Sequence, residues 1–238
     1  MWKKKVTNIL KSKLGRSNKG KILVRHKENG AKKRQRFLDY SLTNNSYVKI
    51  ATHKNIKSNN KIMLVLEDSK YLKLRISHEG SESGRTIFSF DSNNINKGSD
   101  LLLKDIPLGS EIYSLRYKSS HKPSFLRSAG VFGKLIKKEK NKVYIKMSSG
   151  IMKSFSNECI ATVGRSDFSE YKLIDWKKAG VSRLKGIRPH VRGVAKNPVD
   201  HPHGGGEGKT SGGRPSVSPW GWLTKGKRTT KHKKIYSI

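Results

Sequence analysis

Alternation of apolar and polar positions marks the middle of the chain. In Tyr71-Leu72-Lys73-Leu74-Arg75-Ile76, Leu72, Leu74 and Ile76 fall on one face and Lys73 and Arg75 on the other. That period of two predicts a half-buried strand. Residues 61–66 form a second short run rich in Ile, Leu and Val, and further strands are predicted over 86–90, 111–117, 131–137, 143–147 and 160–163. Lys138-Glu139-Lys140-Asn141 and Ser148-Ser149-Gly150 read as turns between neighbouring runs. Evidence for helices is thin. Short strands at roughly 8–12-residue spacing predict small barrels or a sandwich, so the chain is mainly β. A break near 103–109, carrying Pro107 and Gly109, divides the strands into two units, 37–105 and 106–175. Each is about 60–70 residues, small but sufficient for a core.

The ends follow other rules. Ten of the 22 glycines and five of the seven prolines lie in residues 181–238. Neither a ladder nor a helix tolerates that density. We therefore read residues 176–238, like the basic stretch 1–36, as a mostly irregular extension. Trp220, Trp222 and the clustered histidines are costly choices for a mere linker, so the C-terminal extension is expected to order against a partner.

Charge identifies that partner. The chain has 238 residues, with Lys+Arg 52 against Asp+Glu 17, a formal net charge of +35. Residues 1–36 carry fourteen Lys/Arg and one acid, and residues 181–238 thirteen and two; the middle is more balanced. Hydrophobic residues make up 33%, against roughly 45–50% in ordinary domains, so any core is small or divided. Self-repulsion at this charge is relieved by a polyanion, and RNA gains further because each neutralised phosphate releases counterions. A membrane fits less well: no run approaches the ~18 apolar residues of a span, and no long basic amphipathic helix is evident. Val6, Ile9, Leu10 and Leu14 are too sparse for a secretory segment. The lone Cys159 excludes an internal disulfide and reads as a small core residue.

The densest candidate chemistry is Asp200-His201-Pro202-His203-Gly204-Gly205-Gly206-Glu207. Three glycines let the main chain lie against a phosphate or base, and three successive N–H groups can form an anion nest; a hinge is the alternative. The His-Pro-His pair can hydrogen-bond phosphate or 2′-OH, or stack on a base. Zinc would need further ligands on a rigid frame, which the glycines deny. Asp200 and His201 do not make a catalytic pair, since adjacent side chains rarely meet and no nucleophile or oxyanion site accompanies them. Trp220 either stacks on a base or packs beside Pro219.

Residues 197–208, Asn-Pro-Val-Asp-His-Pro-His-Gly-Gly-Gly-Glu-Gly, resemble the signature of the universal large-subunit ribosomal protein two family. The flanks are similar too: 188–195, Pro219-Trp220-Gly221 and 224–229 around it, 15–20 and Val24-Arg25-His26 upstream, with Arg127-Ser128-Ala129-Gly130 and Ala161-Thr162-Val163-Gly164 between. Two departures stand out. The family's glycine run after the Arg-His pair is reduced here to Gly30 within Lys27-Glu28-Asn29-Gly30-Ala31, which puts close backbone approach to RNA there in question. Pro123-Ser124-Phe125 replaces Gly-Gly-Gln before Arg127. With the abundance of Asn, Lys, Ile and Ser, these features point to a divergent mitochondrial copy; a plastid or bacterial cytoplasmic one is the alternative.

The resemblance implies an OB-like barrel (37–105) followed by an SH3-like barrel (106–175), between the extensions 1–36 and 176–238. It implies a structural constituent of the large ribosomal subunit, not an enzyme, bound to rRNA near the peptidyl-transferase region and supporting subunit association and translation. Its partners would be large-subunit rRNA, other ribosomal proteins and, at the interface, the small subunit, with no membrane. No cofactor is expected beyond structural magnesium shared with rRNA. Expected rRNA contacts are Arg16, Lys19, Arg25, His26, Arg34, Arg36, Arg127, Arg183, Arg188, Arg192, His201, His203, Gly204, Gly205, Gly206, Trp220, Lys225, Lys227 and Arg228. Two other classes fit less well. A free single-strand binder wants several exposed aromatics on one barrel face, and the aromatic fraction is 8%. A metal-dependent RNA hydrolase wants clustered carboxylates, and Asp200 with Glu207 is too sparse.

Overall fold

The structure, a computed structural model, describes residues 7–9, 13–40, 46–54, 59–67, 71–91, 95–118, 122–208 and 212–226. They fall into two units. One takes in Lys32–Asp175 with the strand at Thr7–Ile9; the other is built from the described parts of Ser12–Ala31 and Trp176–Ile235.

Among the described residues, the regular structure of the first unit is all strand but for one 3-10 turn at Ser169–Leu173. Strand β1 (Thr7–Ile9) pairs antiparallel with β2 (Arg34–Arg36). Strands β3 (Ser46–Lys54), β4 (Lys61–Glu67), β5 (Tyr71–Ile76) and β6 (Thr86–Phe88) form a four-stranded antiparallel sheet in the order β5-β4-β3-β6. Strands β7 (Asp100–Leu102), β8 (Glu111–Arg116), β9 (Gly133–Lys138), β10 (Lys142–Lys146), β11 (Met152–Ser156) and β12 (Ile160–Val163) form a six-stranded sheet in the order β11-β10-β9-β8-β12-β7. Two antiparallel sheets in a mainly β chain are consistent with an OB-like barrel followed by an SH3-like barrel. Both anticipated turns are present: Glu139 N–H donates to Lys142 O between β9 and β10, and Met147 N–H to Ile151 O between β10 and β11. Sequence reading overlooked β3, the longest strand, because Lys49, Thr52, His53 and Lys54 break its apolar alternation. It also overlooked β7, which pairs with β12, so the changeover between sheets lies between Phe88 and Asp100, ahead of Pro107 and Gly109.

The larger core gathers Leu101, Leu103, Ile106, Ile112, Leu135, Val143 and Ile145, with Cys159 packed among them as a buried thiol. Tyr47, Met63, Val65 and Ile87 form a smaller cluster on the four-stranded sheet.

One strand departs from its pattern. On β5, Leu74 and Ile76 are buried, but so is Arg75, while Leu72 is exposed. Alternation tells which residues share a face; it does not tell whether the other face meets water. Here Arg75, 4% exposed, reaches Asp100 on β7 (Nη1 to Oδ2, 2.7 Å). Arg116 of β8 donates to the same oxygen at 3.1 Å, and Thr162 of β12 donates to Asp100 Oδ1 at 2.5 Å. Asp100 and Arg116 are each 1% exposed. Two guanidiniums thus share one carboxylate, an excess of positive charge inside the protein. The Tyr47 ring lies 4.7 Å from the Arg75 guanidinium carbon and the Tyr40 ring 5.3 Å from that of Arg116, so π faces take up part of the excess. Burial pushes the Tyr40 phenol up to about 12, so it stays neutral. Its hydroxyl accepts from Ile76 N–H at 3.1 Å, and Tyr113 donates to Ile76 O at 3.3 Å.

Candidate nucleic-acid interface

The second unit joins two pieces of chain some 160 residues apart. Residues 13–31 form an irregular hairpin in which Leu23 and Val24 N–H both donate to Gly15 O. The C-terminal piece opens with a six-residue helix, α1 (Ala179–Leu184), and continues through a 3-10 turn at Gly193–Ala195. The two pieces are stitched by main-chain bonds: Glu28 N–H to Gly186 O (2.8 Å), Ala31 N–H to Leu184 O (2.9 Å) and Arg188 N–H to His26 O (3.1 Å). Glycine sits on both sides of this crossing. A Cβ on Gly30 (φ +64) would stand 2.3 Å from Leu184 O, and one on Gly186 (φ +88) 2.4 Å from Glu28 O. Only glycine fits both the left-handed backbone and the contact. The close approach that the sequence left open at Gly30 is therefore to the protein's own chain.

The crossing brings histidines together. The Pro189 carbonyl can only accept, so His26 donates to it through Nδ1 (3.2 Å), leaving Nε2 to accept from His190 Nδ1–H at 2.7 Å. A second pair, His201 and His203, stacks with ring centroids 5.1 Å apart. His203 Nε2 accepts Val217 N–H (3.1 Å), so its proton lies on Nδ1, which donates to Gly212 O (3.1 Å). His201 Nδ1 accepts His203 N–H (3.1 Å), which places the His201 proton on Nε2. The His201 ring lies on Gly193, where a Cβ would stand 2.5 Å from Cε1. Burial first, then the nearby cations Lys196 and Arg25, lower the His201 pKa, which favours the neutral ring.

Arg25, His26, His190, Arg192, Lys196, His201, His203 and Arg214 line one open cavity of about 600 Å³, with Val191, Val194, Val217 and Pro219 supplying apolar wall. No Asp or Glu is among its lining residues. Imidazole N–H groups, guanidiniums and apolar wall suit a partner with both anionic oxygens and flat apolar surfaces.

Five of the anticipated residues meet at this cavity: Arg25, His26, Arg192, His201 and His203. Three cationic or imidazole lining residues were missed. His190 stood within the noted 188–195 segment, and Arg214 follows two glycines and precedes a proline, a turn that could have drawn notice; Lys196 carried no special signal. Other anticipated residues lie elsewhere in the same unit. Arg16 bonds Gly20 O (2.9 Å), Lys19 is exposed in the hairpin turn, and Arg188 and Lys225 are exposed. Arg183 is held by Glu28 at 2.9 Å, so part of its charge is already answered. Trp220 is 62% exposed, with the Arg25 guanidinium 5.6 Å from its ring, an arrangement neither sequence reading contained. The glycine triplet also differs from its reading as a nest of three available N–H groups. Gly204 N–H donates to His201 O (2.9 Å), and Gly204 and Gly205 pack on Lys196, Asn197 and Pro198; Gly205 and Gly206 do adopt positive φ. Arg34, Arg36 and Arg127 belong to the strand unit: Arg34 and Arg127 are exposed, and Arg36 donates to Lys54 O (3.2 Å). Lys227 and Arg228 lie outside the described residues.

Two family models match the chain: Ribosomal Proteins L2, RNA binding N-terminal domain, over residues 3–89, and Ribosomal Proteins L2, C-terminal domain, over residues 96–221. Together they take in most of the sequence. The chain belongs to the ribosomal protein L2 family. Membership makes it a ribosomal protein of the large subunit that binds RNA and associates with rRNA and other ribosomal proteins. The gap between the L2 matches, at 90–95, falls where the four-stranded sheet gives way to the six-stranded one. The cavity draws Arg25 and His26 from the N-terminal match and its remaining histidines from the C-terminal one.

Proposed function

We propose that this chain is a structural constituent of a mitochondrial large ribosomal subunit, and that it braces large-subunit rRNA near the peptidyl-transferase region and supports subunit association. The convergence of Arg25, His26, Arg192, His201 and His203 on one acid-free cavity carries this reading. The cations give affinity shared over many phosphates, while the neutral rings with fixed tautomers supply directional hydrogen bonds for a local RNA shape. Arg16, Lys19, Arg183, Arg188, Lys225, Lys227, Arg228 and Trp220 act as further RNA contacts, as do Arg34, Arg36 and Arg127 of the strand unit, and structural magnesium is shared with the rRNA. The protein performs no chemistry; it holds RNA that does. The small subunit is the partner across the interface. The reduced glycine run and the Asn- and Lys-rich composition favour the organellar assignment.

The test is substitution of His201 by Ala in reconstituted subunits. Affinity for isolated rRNA should stay within about twofold, because one neutral ring adds little to a binding term shared by many cations. Peptidyl transfer or subunit joining should fall. Normal transfer and joining would leave the tail as an anchor only. For location, the tagged protein should sediment with large subunits and monosomes of purified mitochondria.

A further inference from the structure

A second cavity, of about 340 Å³, opens on the four-stranded sheet and has no role in the reading above. Its floor is Lys49 of β3, 4% exposed. The Lys49 ammonium donates to Ser81 O at 2.5 Å and to Ser81 Oγ at 2.7 Å. An ammonium has three donors, so one remains. Among the described residues no carboxylate lies within ion-pair distance of it. The acid in the same cavity, Asp167, is engaged by Lys61 Nζ (3.3 Å), Ser77 Oγ (3.1 Å) and Phe168 N–H (2.6 Å). Buried charges are ordinarily paired, because an ammonium removed from water without a counter-ion is costly. Contrast the other buried cations, Arg75 and Arg116, which share Asp100.

The mouth of the cavity repeats the charge. Lys54 Nζ and Lys61 Nζ each stand 5.3 Å from the centroid of the Phe168 ring. Phe168 holds that position at φ 73, a left-handed backbone that a bulky residue rarely adopts. Strain of this kind persists where the surroundings fix it, and it clusters at sites that bind. Three ammoniums thus bear on one concavity whose single carboxylate is already hydrogen-bonded on both oxygens.

We propose that this cavity takes a phosphate of the RNA backbone, with Lys49 as the buried counter-ion, Lys54 and Lys61 closing over the oxygens, and the Phe168 ring beside the attached ribose or base. The proposal rests on the RNA-binding role and is independent of the histidine-lined cavity.

The experiment compares the full chain with Lys49→Met, which keeps the aliphatic stem and removes the charge. Binding to a large-subunit rRNA transcript should weaken about tenfold near 0.1 M salt, and the slope of log affinity against log salt should shrink by about one. The melting temperature of the free protein should not fall, since an unpaired buried charge has been removed. Lys49 serving only to hold Ser81 would give the reverse, a lower melting temperature with unchanged RNA affinity and salt slope, and would overturn the proposal. Inorganic phosphate is the second probe. A phosphate-induced rise in melting temperature that Lys49→Met abolishes, together with unchanged RNA affinity, would assign the cavity to the free ion and overturn the RNA assignment. Should the variant not fold, acetylation footprinting of the unaltered protein decides: RNA should protect Lys54 and Lys61, and equal reactivity with and without RNA would sink the idea. An unaltered chain that fails to bind the transcript counts against the ribosomal role itself, whereas binding that Lys49→Met leaves untouched counts against this site alone.

Discussion

In the strand unit, Leu101, Leu103, Ile106, Ile112, Leu135, Val143 and Ile145 lose nearly all contact with water. In the unit made of the two chain ends, Val217 is the one large apolar side chain buried among the described residues, and His201 is the one buried polar side chain. The first unit is held by area removed from water, at roughly 25 cal/mol per Å². The second is held by main-chain hydrogen bonds across a glycine crossing and by imidazoles whose acceptor nitrogens cap backbone N–H groups. Such bonds contribute about 1 kcal/mol each, net, because water competes for them. The strand unit is therefore a cooperative body, and the second unit a set of positions brought near their binding geometry at low intrinsic stability. On the function proposed above, the strand unit would supply rigidity and the ends would supply groups whose final order RNA completes.

The comparison breaks most readily at the buried charge cluster. Asp100→Ala removes the counter-ion of both Arg75 and Arg116 and the acceptor of Thr162. Loss of a buried partner costs about 3–5 kcal/mol, which for a small core approaches global unfolding; urea denaturation would measure it. The same group sets an acid limit. Burial raises the Asp100 pKa, but Arg75 and then Arg116 outweigh this and hold the carboxyl below its usual value. A depressed carboxyl contributes stability that is fully present above its unfolded pKa and lost as pH falls through its folded one. Cooperative loss of the strand unit should thus appear only below the ordinary carboxylate range, and Asp100→Asn, which leaves both guanidiniums without their counter-ion, should be destabilised above that range as well.

A smaller effect should follow Gly30→Val. Its Cβ meets Leu184 O, and its backbone is left-handed, so about 2–3 kcal/mol of local stability should vanish. Hydrogen exchange should show the amides of Glu28, Ala31 and Arg188 losing protection together, while those of β9 and β10 are unchanged. Loss of protection in both units would mean that they are one cooperative body, against the division drawn above.

The smallest effect concerns Trp220. If its ring only braces Arg25, Trp220→Ala should cost about 0.5–1 kcal/mol of RNA affinity, the range of an exposed cation–π contact. A loss nearer ~1–3 kcal/mol would mark direct stacking on a base. Binding titrations at one fixed salt concentration separate the two.

Much was legible in the chain because it is local. The period of two over 71–76 located β5, the Lys-Glu-Lys-Asn and Ser-Ser-Gly turns located the β9–β10–β11 meander, and the density of glycine and proline located the largely irregular C-terminal piece. The 197–208 stretch, with its flanks, carried the family and so the RNA partner. Five of the cavity's residues could be named in advance because they lie in those segments. What remained depends on contacts far apart in sequence. Nothing around Arg75 says that its face will be covered by Asp100, 25 residues on, instead of water. Nothing around Gly30 says that it will cross Gly186, or that His26 will meet His190, 164 residues away. Lys49 looked like one more surface lysine, and only the fold left it buried with no carboxylate of the described residues within ion-pair distance. The sequence by itself determined most of the strands, the turns, charge and family, since each follows from neighbouring side chains or from composition. Tertiary structure alone decided which cations are paired, which imidazole nitrogen carries its proton and where glycine is indispensable, because burial and hydrogen-bond partners exist only once distant segments are packed.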